Sequence, residues 1–109
     1  MTQNFTSQDL YQIIQERLQK KPTGSYVAQL AASGFDRAVQ KIGEEAVETV
    51  IAAKNYHGKK QNAEKELLIG EMSDLFFHSL VVLALLDIQP AEIMNCLKKR
   101  HLKRENKKA

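Results

Sequence analysis

Apolar residues recur at steps of three and four along most of the chain, the spacing of helices that turn one face inward. Leu10, Ile13, Ile14 and Leu18 form the first such stripe, and Thr6 or Ser7 stands where an N-cap is needed, so a helix is predicted over about 8–19. Pro22 and Gly24 break it. Ser25 can cap a short helix carrying Tyr26, Val27, Leu30 and Ala31, which Gly34 is placed to end in a left-handed conformation. A third helix over about 35–55 sets Phe35, Ala38, Val39, Ile42, Ala46, Val50 and Ala53 on one face. Gly58 and the polar run 59–63 read as a loop, and a fourth helix over about 63–86 carries the most apolar stretch. Pro90 suits the first turn of a fifth helix that reaches past Leu97, turns Ile93, Met94 and Leu97 inward, and frays into a basic tail. Strand-like alternation, internal repeats and low-complexity linkers are absent from the sequence. The fold class predicted is all-α: one helical-bundle domain of about five helices over residues 1–109.

Size and charge narrow the class. A domain of 109 residues buries only roughly 60–70% of the surface that its unfolded chain exposes, so pairing with a second copy would add stability. The single cysteine, Cys96, has no disulfide partner and no Cys or His at metal-ligand spacing, which fits a reducing cytoplasm. Residues 1–10 lack a basic start followed by an apolar stretch. The longest apolar run, Leu80 to Leu86, has seven residues, against the about 20 that cross a bilayer. A soluble cytoplasmic protein with no membrane contact is expected. The net charge of +3 is uneven, because Lys98, Lys99, Arg100, Lys103, Arg104, Lys107 and Lys108 supply seven of the sixteen basic residues. The remaining body is net acidic, and from Lys98 onward there is no Phe, Tyr or Trp on which a base could stack. Nucleic acid is therefore not the expected partner, and the tail reads as a solvating segment.

The chemistry lies in two lines of sequence, Lys41-Ile-Gly-Glu44-Glu45-Ala-Val-Glu48 and Glu71-Met-Ser-Asp74-Leu-Phe-Phe-His78. Residues three apart on a helix are neighbours, so Glu45 with Glu48 and Glu71 with Asp74 each form a two-carboxylate clamp. Glu71, Asp74 and His78 also continue the stripe of Leu67, Leu68, Leu75, Val81, Val82 and Leu85. Acids placed against an apolar face need a cationic partner. No Lys or Arg occurs between residues 66 and 97, which makes a divalent cation the better one. Hard carboxylate ligands suit magnesium, which keeps waters and shares them with phosphates. A di-iron bundle would instead want Glu-x-x-His pairs, and the histidine here follows Asp74 by four.

This arrangement, Glu-x-x-Glu at 45 and 48 and Glu-x-x-Asp at 71 and 74, resembles the signature of the all-α, MazG-like nucleotide pyrophosphohydrolases. Within them, Ser25-Tyr-Val-Ala-Gln-Leu30, Lys41-Ile-Gly-Glu-Glu-Ala-Val-Glu48, Ile51-Ala-Ala-Lys-Asn55 and Glu71-Met-Ser-Asp-Leu-Phe-Phe-His78 resemble the phosphoribosyl-ATP pyrophosphohydrolases, with similarity over residues 10–101. The resemblance implies hydrolysis of phosphoribosyl-ATP to phosphoribosyl-AMP and pyrophosphate, a step of histidine biosynthesis, by a homodimer or higher homo-oligomer. With one cysteine, the chain lacks the metal-binding cysteines of the cyclohydrolase domain to which this activity is often fused, so the stand-alone form is expected.

By the same resemblance, Glu45, Glu48, Glu71 and Asp74 hold Mg2+. Glu44 lies about 100° round the helix from Glu45, where it is a general base, a group behind the ligands or simply solvated. Lys41 and Lys54 either reach phosphates or stay in solvent. His78 orients a carboxylate or water, or is a packed core histidine. Tyr26 lines the nucleotide pocket or is a core aromatic. Phe77 departs from relatives that often carry Tyr there, which removes any hydroxyl contact. Two rival readings stand beside this one: a housekeeping pyrophosphohydrolase of free nucleoside triphosphates, and a non-enzymatic helical protein that binds metal or nucleic acid.

Overall fold

The structure, a computed structural model, describes residues 4–108, with the backbone alone from 106 onward. Residues 1–3 and 109, part of the N-terminal stretch and tail read above, lie outside the described residues. Five helices follow in order, α1 (Ser7–Lys20), α2 (Tyr26–Ala32), α3 (Phe35–Lys59), α4 (Asn62–Leu85) and α5 (Pro90–Lys108), and the described residues contain no strand.

Local chemistry accounts for the helix ends. Thr6 caps α1 through a capping box, in which the Asp9 N–H donates to Thr6 Oγ1 at 3.1 Å and the Thr6 N–H donates to Asp9 Oδ2 at 2.9 Å. Ser25 caps α2 by accepting from the Ala28 N–H at 3.2 Å. Gly34 differs from expectation. Its φ of 110° and ψ of 154° are an extended positive-φ conformation rather than the left-handed helical one, and that region belongs essentially to glycine.

The loop expected at 58–63 shrinks to Lys60 and Gln61. Gly58 stays helical, and Lys60 takes the left-handed C-cap position with its N–H on the Tyr56 carbonyl at 2.7 Å. So short a connection makes α3 and α4 an antiparallel hairpin, the most extensive packing in the molecule. Residues at similar separations from that turn come level, which sets Glu45 near Asp74 and brings Glu48 and Glu71 to one groove.

A core of Tyr11, Ile14, Val27, Leu30, Ala38, Leu80, Val81 and Ala84 lies where α1, α2 and α3 pack on the C-terminal half of α4. The predicted faces are only partly correct. On α1, Tyr11 and Ile14 are buried while Ile13 is exposed. On α3 the buried line is Ala38, Glu45, Thr49 and Ala52, whereas Phe35, Val39 and Val50 of the predicted stripe face solvent. That helix is apolar on two faces, and the hairpin takes the one with small residues because they allow close approach. On α4, Leu67 is exposed and Asp74 stands in solvent instead of interrupting a buried face. On α5, Ile93, Met94 and Leu97 are exposed rather than inward, because that helix packs chiefly on α1. It also continues to Lys108 through the basic residues expected to fray.

The chain is therefore more open than its size requires. Its accessible surface is 8324 Å2, against about 6,100 Å2 for a folded monomer of this mass. Its radius of gyration is 16.8 Å, against about 13 Å. By length and composition α4 alone among the described helices could cross a membrane, but its apolar stretch contains Glu71 and Asp74.

Candidate metal centre and active site

The hairpin brings three of the four predicted carboxylates together. One oxygen each from Glu45, Glu71 and Asp74 can be chosen so that all lie within 4.8 Å of one another. Glu45 is buried, Glu71 half-buried and Asp74 exposed, so the cluster runs from the α3–α4 seam out to solvent. Glu45 Oε2 and Glu71 Oε2 are buried with no hydrogen-bond partner. Orphaned anionic oxygens at a shared point cost free energy unless a cation meets them. Three hard carboxylate oxygens gathered in this way are the donor set that a small divalent cation would take. The residues present fit a divalent metal.

Glu48 is exposed one turn along α3. It meets Glu71 in a groove of about 200 Å3 lined also by Ile51, Ala52, Asn55, Glu64 and Leu67. Glu64 was missed from sequence. It lies two turns before Glu71 on the same face of α4, its Oε2 is buried without a partner, and its Oε1 is 3.8 Å from Lys59 Nζ. That two-turn spacing was the available signal.

Lys41 lies against the cluster, with Nζ 3.5 Å from Glu45 Oε1 and 3.3 Å from Glu44 Oε2. Glu44 also accepts from Gln40 Nε2 at 2.9 Å and from Arg37 Nη1 at 3.3 Å. The hydrogen bond from Lys41 holds the Glu44 carboxyl below its usual range, and the same bond raises Lys41 above the usual lysine range.

The sequence model of the phosphoribosyl-ATP pyrophosphohydrolase family matches residues 7–101, which contain every one of these groups. The chain belongs to the phosphoribosyl-ATP pyrophosphohydrolase family. A phosphoribosyl-ATP pyrophosphatase of Pelotomaculum thermopropionicum is 45% identical over 96 residues, covering 88% of this chain and 91% of that one. Another, from Polaromonas, is 44% identical and covers 92% of this chain and 82% of its own. A histidine biosynthesis bifunctional protein of Thermus thermophilus is 44% identical over 97 residues, only 42% of its length.

Lys54 is exposed, and nine residues at about 100° each place it on the far side of α3 from Glu45. His78 is buried beside the cluster, with Nδ1 3.9 Å from Glu45 Oε1. Tyr26, half-exposed on α2, reaches His78 with its hydroxyl, and Phe77 packs edge-on against the His78 ring.

Proposed function

We propose that the protein hydrolyses phosphoribosyl-ATP to phosphoribosyl-AMP and pyrophosphate in the cytoplasm, with Mg2+ held by Glu45, Glu48, Glu71 and Asp74. The observation that carries this reading is the convergence of Glu45, Glu71 and Asp74 on one point, with two buried oxygens unpartnered, in a chain of this family. When bound, the metal supplies charge neutralisation on the phosphate oxygens and acidifies water.

The chain's own groups divide the remaining work. Lys41, already turned to the cluster, meets the phosphates as a fixed positive charge. Glu44 is engaged by Arg37, Gln40 and Lys41, and a carboxylate held below its usual pKa is a weaker base. Its part is to aim Lys41 rather than to accept a proton. Glu48, at the exposed mouth of the acidic groove, stands where water enters.

A homodimer or higher oligomer completes the fold. The excess surface of about 2,200 Å2 is of the order that an obligate dimer covers. Val47, Val50, Ile51, Met72, Phe76, Met94 and Leu97 supply the exposed apolar side chains for it.

Pyrophosphate release from phosphoribosyl-ATP, ATP and dCTP, each with magnesium and with EDTA, tests the reading. Magnesium-dependent release from phosphoribosyl-ATP alone is the expected result. Turnover of the plain triphosphates instead would move the activity to the housekeeping branch, and no turnover at all would refute an enzyme.

A further inference from the structure

One hydrogen bond ties the short helix α2 to the carboxylate cluster. The Tyr26 hydroxyl lies 2.7 Å from His78 Nε2, and His78 Nδ1 lies 2.8 Å from the backbone carbonyl of Asp74. A carbonyl oxygen can only accept, so Nδ1 carries the ring proton. In the neutral imidazole Nε2 then presents a lone pair, and the Tyr26 hydroxyl donates to it. Both ends of the ring are thereby committed to one tautomer.

The ring is also held sterically. It is buried, with Tyr26 and Phe77 edge-on at centroid distances of 5.7 and 5.4 Å. Its Nδ1 edge faces Glu45 Oε1 at 3.9 Å while bonding the peptide of Asp74. His78 thus bonds α2 at one nitrogen and the backbone of its own helix at the other, with that second edge turned towards Glu45 of α3.

We infer that Tyr26 is a positioning residue: its hydroxyl fixes the orientation of His78, and through the ring edge that faces Glu45 Oε1 at 3.9 Å sets where the Glu45 carboxylate stands. This rests on reading the cluster as a cation site. It differs from a nucleotide-lining role for Tyr26, because the hydroxyl is spent on His78 rather than offered to the substrate.

Tyr26→Phe keeps the ring and removes the hydroxyl, and His78→Asn removes the relay. Both variants and the double variant are checked for helical content by circular dichroism, titrated with Mg2+ alone by calorimetry, and studied by 1H–15N NMR of the histidine rings. Tyr26→Phe should weaken Mg2+ binding about three- to tenfold and shift the His78 ring nitrogens. In the His78→Asn background it should add nothing further.

Unchanged Mg2+ binding in Tyr26→Phe, with a raised KM for phosphoribosyl-ATP, would overturn the inference in favour of direct substrate contact. Full additivity of the two substitutions would overturn it as well. A wild type that binds no Mg2+ would refute the cation site and this inference together. A wild type that binds Mg2+ without hydrolysing phosphoribosyl-ATP would refute the proposed substrate alone.

Discussion

Neutralising Glu45 should make the metal-free protein more stable while destroying its activity. Glu45 is buried and stands within 4.8 Å of oxygens on both Glu71 and Asp74. At an effective dielectric of about 20, each such pair repels by about 3.5 kcal/mol. Opposing this is Lys41, whose Nζ at 3.5 Å from Glu45 attracts by about 4.7 kcal/mol on the same scale. The two repulsions exceed the one attraction by about 2 kcal/mol, and solvent around the exposed Asp74 reduces this to about 1–2 kcal/mol. Lys41 is not stranded by the change, because Glu44 remains 3.3 Å away.

Glu45→Gln in EDTA should therefore melt at least about 4 °C above wild type at matched protein concentration. Magnesium reverses the order. Wild type gains about 2.7 kcal/mol at a hundred times its Kd, whereas the variant gains little, and its kcat/KM falls by about two powers of ten or more. Thermal melts with magnesium and with EDTA read both effects. A variant that melts below wild type in EDTA, or that gains as much from magnesium, would refute the argument that this cluster is frustrated until a cation fills it.

Other outcomes follow from single contacts. Tyr11 is fully buried with an unpartnered hydroxyl, and burial pushes its pKa up, so Tyr11→Phe should stabilise the fold by about 1 kcal/mol in denaturant titration. The hydrogen bond from Lys41 holds the folded pKa of Glu44 below its ordinary value of 4.5, so its contribution is present above pH 4.5 and is lost as pH falls through the lower folded value. Glu44→Gln should accordingly flatten the acid limb of a stability–pH curve, and an unchanged limb would contradict the Lys41 pairing. Met94→Glu with Leu97→Glu should halve the mass seen by light scattering, since both side chains are exposed in the isolated chain. An unchanged mass would exclude α5 from the interface.

Much of the molecule was legible in the residues themselves, because the forces that mark it act over one helical turn. Thr6 and Ser25 mark helix starts through side-chain oxygens that reach backbone three residues ahead, and Pro90 does so through its fixed φ. The spacing of Glu45, Glu48, Glu71 and Asp74 marked two clamps for the same reason. Tertiary structure decided how those turns meet. Only the two-residue turn at Lys60 and Gln61 sets the register that joins Glu45 to Glu71 and Asp74 while leaving Glu48 at the groove mouth.

The periodicity of α3 could not say which apolar face the hairpin would take, since Val39 and Val50 satisfy the same spacing as the buried Ala38 and Ala52. The bond from Tyr26 to His78 spans 52 residues, a separation on which local pattern carries no information. What the sequence determined by itself was the helices and the acidic residues available to a cation. Which faces close, which acids share a point and which apolar surface stays exposed were settled by packing, because burial is a property of pairs of elements rather than of any one of them.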